Sequence, residues 1–150
     1  MSPLAADRLP DRPPGDAHYR LVLPTDLDLL AEAIELLLAC CLEHGAIAPA
    51  NCFRLRTVAA EAIANAMLYG NGNDPTRTVT VELQVLSDRI VLSVADEGDG
   101  FDPAAVPELV SEEECHAAER GRGLFMMRHL AEQVIFNERG NAIWVTLTRA

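Results

Sequence analysis

Apolar positions recur along this chain at two spacings, and the changes between them mark its elements. From His18 to Leu23 the pattern alternates, with Tyr19, Leu21 and Leu23 on one side, which predicts a strand ended by Pro24. A helical stripe follows through Leu27, Leu30, Ala31, Ile34, Leu37, Leu38 and Cys41, with Thr25 and Asp28 as the starting signal and Gly45 as the stop. A second helix is predicted from near Asn51 to Gly70, turning Phe53, Val58, Ala59, Ala62, Ile63, Ala66 and Met67 inward. Asn71 to Pro75 is turn chemistry throughout. Alternation returns over Thr78–Leu86 and Ile90–Ala95, a β-hairpin closed by Ser87-Asp88-Arg89. A Gly-rich acidic loop (Asp96–Asp102) leads into a polar, Glu-rich segment (Pro103–Glu119). A third helix is expected over Leu124–Gln133, then strands at Val134–Asn137 and Ala142–Thr148.

The order β-α-α-β-β-loop-α-β-β predicts an α+β fold. It is a two-layer α/β sandwich, with a mainly antiparallel mixed sheet covered on one face by helices. A doubly wound fold is excluded because Gly121-Arg122-Gly123 lacks the third glycine of its fingerprint. Residues 1–17, rich in proline, are expected to be a disordered N-terminal arm, and 18–150 a single domain.

Composition removes several classes. The net charge of -11 has the wrong sign for wrapping nucleic acid. No apolar run approaches the ~20 residues of a membrane-spanning helix, and the N-terminus has no apolar signal core. All twelve basic residues are arginine, so the lysines of a Walker A loop, a eukaryotic-type kinase or a Schiff base have no counterpart. Cys40, Cys41, Cys52 and Cys115 form no C-x-x-C pair and read as reduced thiols of a cytoplasmic protein, with Cys40 and Cys52 as small buried hydrophobes.

Three short elements carry candidate chemistry. Glu61 and Asn65, four apart, share one helical face; alone they also fit a solvated Glu and a tolerated Asn. Asp96-Glu97-Gly98-Asp99-Gly100 follows an apolar strand: either an acidic surface turn, or a carboxylate that accepts from a purine amino group beside glycines that admit a flat ring. A calcium loop fails on spacing. Arg120-Gly121-Arg122-Gly123 precedes a helix: either a linker, or backbone N–H groups and an arginine fork suited to phosphate.

The order of these elements resembles the GHKL (Bergerat) ATP-binding fold over roughly Tyr19 to Arg149. Glu61–Ala66 is similar to its N box, Asp96–Gly100 to its G1 box and Gly121–Leu124 to its G2 box. The short lid after Phe101, the Tyr69-Gly70 pair and Arg120–Arg128 further resemble the anti-sigma factor serine/threonine kinases of the RsbW and SpoIIAB type. Tyr69 stands where many relatives carry His, and Ala131–Val134 replaces a common Asp-Glu-Val.

The resemblance implies roles residue by residue. Asn65 would hold Mg²⁺, and Glu61 would be the general base toward a serine hydroxyl. Asp96 would bind the adenine amino group, while Gly98 and Gly100 shape the purine pocket. Arg120, with Gly121 and Gly123, would close on the γ-phosphate. It also implies ATP/ADP as nucleotide, a STAS-type anti-anti-sigma factor as substrate, an alternative RNA polymerase sigma factor as sequestered partner, and a homodimer, with no direct nucleic-acid or membrane contact. Two alternatives share these residues: an ATP/ADP-binding sequestration module without kinase activity, and a GHKL switch kinase with other protein partners.

Overall fold

The computed structural model describes residues 4–9, 17–43, 48–99 and 119–149, with the backbone alone at 8–9 and 119–122. Its strands are β1 (Asp7–Leu9), β2 (Ala17–Pro24), β3 (Thr78–Val85), β4 (Arg89–Ala95), β5 (Gln133–Phe136) and β6 (Ala142–Thr148). They form one six-stranded sheet in the order β1-β2-β3-β4-β6-β5. The helices are α1 (Leu30–Glu43), α2 (Pro49–Asn65) and α3 (Glu119–Leu130).

The two-layer α+β architecture is as expected, with one correction: every pairing is antiparallel, so the sheet is not mixed. β2 and β3 pair antiparallel although two helices separate them in sequence. β4 and β5 do run in the same direction, but β6 lies between them and they never pair.

Alternation sets the layers. Tyr19, Leu21 and Leu23, Val79, Val81, Leu83 and Val85, Ile90, Leu92 and Val94, and Ile143, Val145 and Leu147 are all buried beneath the helices. Each fully buried aliphatic contributes roughly 1.5–3 kcal/mol. The opposite face carries Thr80, Gln84, Thr146 and the Arg20–Glu82 ion pair at 2.9 Å.

The expected loose arm is corrected at residues 4–9. Asp7–Leu9 pairs with His18–Arg20, and Leu4 is buried. Composition misleads here because β2 offers an unpaired row of N–H and C=O groups, and backbone pairing asks for no side-chain pattern. Residues 10–16 lie outside the described residues.

The first helix opens with a 3₁₀ turn at Leu27–Leu29, capped by Asp26, which accepts from the Asp28 N–H at 3.0 Å. Thr25 was expected in that role. It is instead buried and donates its hydroxyl to Arg77 C=O at 2.9 Å.

On α2, Phe53 is 62% exposed rather than inward. Two residues rotate a helix by roughly 200°, so the stripe of Val58, Ala59, Ala62 and Ile63 runs through Leu55 and excludes Phe53. Arg56 and Glu35 pair between α2 and α1.

Cys40 and Cys41 are buried and Cys52 is half-buried. Burial, with the neighbouring thiols Cys40 and Cys52, pushes the Cys41 thiol up to about 12. Burial likewise raises Cys40. Alkylation of native protein near pH 8 is therefore expected to modify Cys52 before Cys40 and Cys41, which should react only on unfolding. Peptide mass mapping after timed iodoacetamide treatment checks this; early labelling of Cys41 would contradict its place in the core. Cys115 lies outside the described residues.

Candidate functional site

The buried stripe of α2 keys the helix to the core and leaves Glu61 and Asn65, one turn apart, half-buried on the neighbouring face. α3 comes directly against them. A Cβ on Gly123 would lie 2.6 Å from Glu61 Oε2 and 3.3 Å from Asn65 Nδ2, so glycine is what permits the approach.

This corrects the expected boundary of the third helix. It spans Glu119–Leu130 rather than Leu124–Gln133, so Gly121 and Gly123 sit within its first turns instead of in a loop ahead of it. Glycine disfavours a helix interior by about 1 kcal/mol relative to Ala, which is why the sequence pattern pointed to a later start. Packing of Gly123 against Glu61 and Asn65, with Leu124 and Met127 buried beneath, offsets that penalty. The side chain of Arg120, Gly100, and the acidic lid at 101–118 lie outside what the structure describes.

α2 does not simply stop after Asn65. It widens into a π-turn, Ala66–Gly70, closed by the Asn71 N–H donating to Ala66 C=O at 2.8 Å. The widened turn brings Gly70 onto Asp96, where a Cβ on Gly70 would fall 2.2 Å from the carboxylate. From the other side, a Cβ on Gly98 would fall 1.9 Å from Gly70 C=O. Gly98 N–H donates to Asp96 Oδ1 at 2.8 Å, and Asp96 N–H donates to Asn141 C=O at 2.9 Å. The Asp96 carboxylate is thus held between two glycine backbones.

Asn65 and Asp96 line one cleft of about 370 Å³, open mouth included. Val94 and Ile143 form its sheet side, Leu124 and Met127 its α3 side, and Phe136 and the Gly140–Ala142 turn close one end. An apolar slot with a carboxylate at one point and an amide at another suits a flat heterocycle bearing an amino group.

Asn65 and Asp96 thus face one cleft, with Glu61 and Gly123 packed beside Asn65 and the Gly98 N–H bonded to Asp96. Residues 23–147 match a protein family described as the histidine kinase-like ATPase domain. The chain belongs to this family.

A histidine kinase-like ATPase domain is a nucleotide-binding domain, in keeping with the cleft. Among curated proteins, the chain is similar to an anti-sigma F factor of Geobacillus thermodenitrificans, at 33% identity over 58% of this chain and 60% of that protein. It is also similar to the serine-protein kinase RsbW of Bacillus subtilis, at 31% identity over 61% of each. An anti-sigma F factor of Oceanobacillus iheyensis is 28% identical over 61% of this chain and 66% of its own length. The chain thus spans about three fifths of the length of the first of these relatives.

Several residues of this ATPase-domain site were not singled out from sequence. Phe136 falls in a predicted strand and Asn141 in the turn between the last two, neither with a role, whereas Gly70 enters as a helix stop and in the Tyr69-Gly70 resemblance. The Asn137–Asn141 turn had a local signal: two asparagines flanking a glycine. There the Asn137 Nδ2 donates to Asn141 Oδ1 at 2.6 Å and Asn137 Oδ1 accepts from Asn141 N–H at 3.0 Å, around Gly140 at φ 72°.

Proposed function

We propose that this ATPase domain is an anti-sigma factor with serine/threonine protein kinase activity. It phosphorylates a STAS-type anti-anti-sigma factor and sequesters an alternative sigma factor. The observation that carries the reading is that Asn65 and Asp96 line one cleft, with Glu61 one turn before Asn65 and Gly123 packed against Glu61 and Asn65. The printed names of the relatives, anti-sigma F factor and serine-protein kinase RsbW, support the same direction.

In this reading, ATP lies in the cleft with its amino group toward Asp96. Glu61 accepts the proton of the incoming hydroxyl as its oxygen bonds to the γ-phosphorus; the bridging P–O bond breaks and ADP leaves. Asn65 offers a neutral amide oxygen, a ligand that would suit Mg²⁺. Among the described residues, no three His, Cys, Asp or Glu side chains are grouped to hold a metal on their own. When bound, Mg²⁺ would neutralise triphosphate charge. Arg120, with Gly121 and Gly123 in the first turns of α3, would bear on the γ-phosphate.

The reading includes a homodimer and a cytoplasmic location. Among the described residues, no helix is long and apolar enough to cross a membrane.

The test has two parts. Capture on the immobilised chain, with mass spectrometry, is expected to recover a STAS protein and a sigma factor. The purified STAS protein is then expected to take up label from γ-³²P-ATP on serine or threonine. Capture of both partners without transfer would favour the non-catalytic sequestration module, and transfer to an unrelated protein would favour the switch kinase.

A further inference from the structure

We propose that Asn71 is a positioning residue that sets the base-reading carboxylate, and with it the purine specificity, of the nucleotide site. The proposal rests on the reading that Asp96 accepts from the base amino group.

Asn71 belongs to a tract that reads as turn, yet it is 2% exposed. Burying an amide that size is unfavourable unless its polar atoms are matched, and here the matches span four parts of the fold. Nδ2 donates to Thr25 Oγ1 at 2.9 Å, at the end of β2, and to Thr78 C=O at 3.0 Å, at the start of β3. Oδ1 accepts from the N–H of Glu97, the residue after Asp96, at 2.8 Å. Its own N–H closes the π-turn on Ala66 C=O. Glu97 adds a second tie, its carboxylate accepting from Thr78 N–H at 2.6 Å.

These bonds hold the two segments around Asp96, whose carboxylate also accepts from the Gly98 N–H. The residue before Asn71 is Gly70, whose backbone lies against the Asp96 carboxylate; the residue Asn71 grips, Glu97, follows Asp96. The amide thus clamps both segments that confine the carboxylate, while Asn71 itself does not line the cleft. Without it, the end of α2 and the Asp96 loop lose their shared tether. A carboxylate free to turn would still tolerate a nucleotide, but would no longer favour an amino group over a carbonyl at the same ring position.

The test is the ratio of dissociation constants for ITP and ATP, measured by calorimetry with Mg²⁺ on the full chain. Wild type is expected to prefer ATP by about 10-fold or more, and Asn71→Ala by no more than about 2-fold, with ATP binding weakened more than ITP binding. A folded Asn71→Ala that weakens both nucleotides equally and keeps the wild-type ratio would make the residue merely structural and overturn the proposal. Should Asn71→Ala fail to fold, Thr25→Ala removes one acceptor of Asn71 Nδ2, together with the hydroxyl's bond to Arg77 C=O, and is expected to lower the ratio about 2- to 3-fold; an unchanged ratio there overturns the proposal equally. A wild-type protein indifferent to ATP and ITP would instead refute base reading by Asp96, and the role of Asn71 would fall with it.

Discussion

Glu61→Gln is expected to bind ATP within about 3-fold of wild type yet transfer its γ-phosphate to the proposed STAS-type substrate about 10²–10⁴-fold more slowly, the usual range for a lost general base. Glutamine is the informative replacement because it keeps the shape that Gly123 accommodates. The side-chain end packs within van der Waals distance of α3, so a larger or branched group would displace the helix and confound chemistry with packing. The amide cannot accept the hydroxyl proton, so the rate reports the carboxylate alone. Single-turnover transfer of labelled phosphate, with ATP affinity measured separately, distinguishes the two quantities. Transfer at the wild-type rate would remove Glu61 from the mechanism, while lost ATP binding would make it a nucleotide-site residue instead.

Gly98→Ala is expected to reduce ATP affinity by about 100-fold or more and to lower stability by about 1–3 kcal/mol, the range for overpacking. The new Cβ would fall 1.9 Å from Gly70 C=O, a backbone atom that no rotamer change moves, and 3.0 Å from Asp96 Oδ1. Relief requires the Asp96 loop to leave the end of α2, which takes with it the Asp96 carboxylate, the group proposed to read the base. Gly72→Ala separates this from a general penalty on glycine replacement. Gly72 has φ +60° but nothing within 4 Å of a built Cβ, so alanine there strains the backbone without touching the cleft. That variant is expected to lose about 1 kcal/mol of stability with ATP affinity unchanged. Thermal unfolding and calorimetric titration of both variants give the comparison; Gly98→Ala with wild-type affinity would mean that the close approach at Gly70 has no bearing on nucleotide binding.

The inward faces of β2 and β3, the strands β4 and β6, the two-layer arrangement and the helix carrying Glu61 and Asn65 were all legible in sequence. Each is a local periodic signal: a residue's face follows from its own neighbours, and burial of one face fixes register. Spacing likewise brought Glu61 and Asn65 to one side of α2, because helix geometry alone puts residues four apart together.

The tertiary structure decided what depends on residues distant in sequence. Whether Gly123 is loop or helix turns on Glu61 and Asn65, some sixty residues earlier, whose side chains occupy the space a Cβ would need. Asn71, read as turn, becomes a buried tie because β2, β3 and the Asp96 loop meet around it. Asp7–Leu9 becomes a strand because β2 presents a free edge to it. Periodicity records how a segment meets water and core, whereas a close approach or an edge pairing belongs to two segments at once and is settled when they pack.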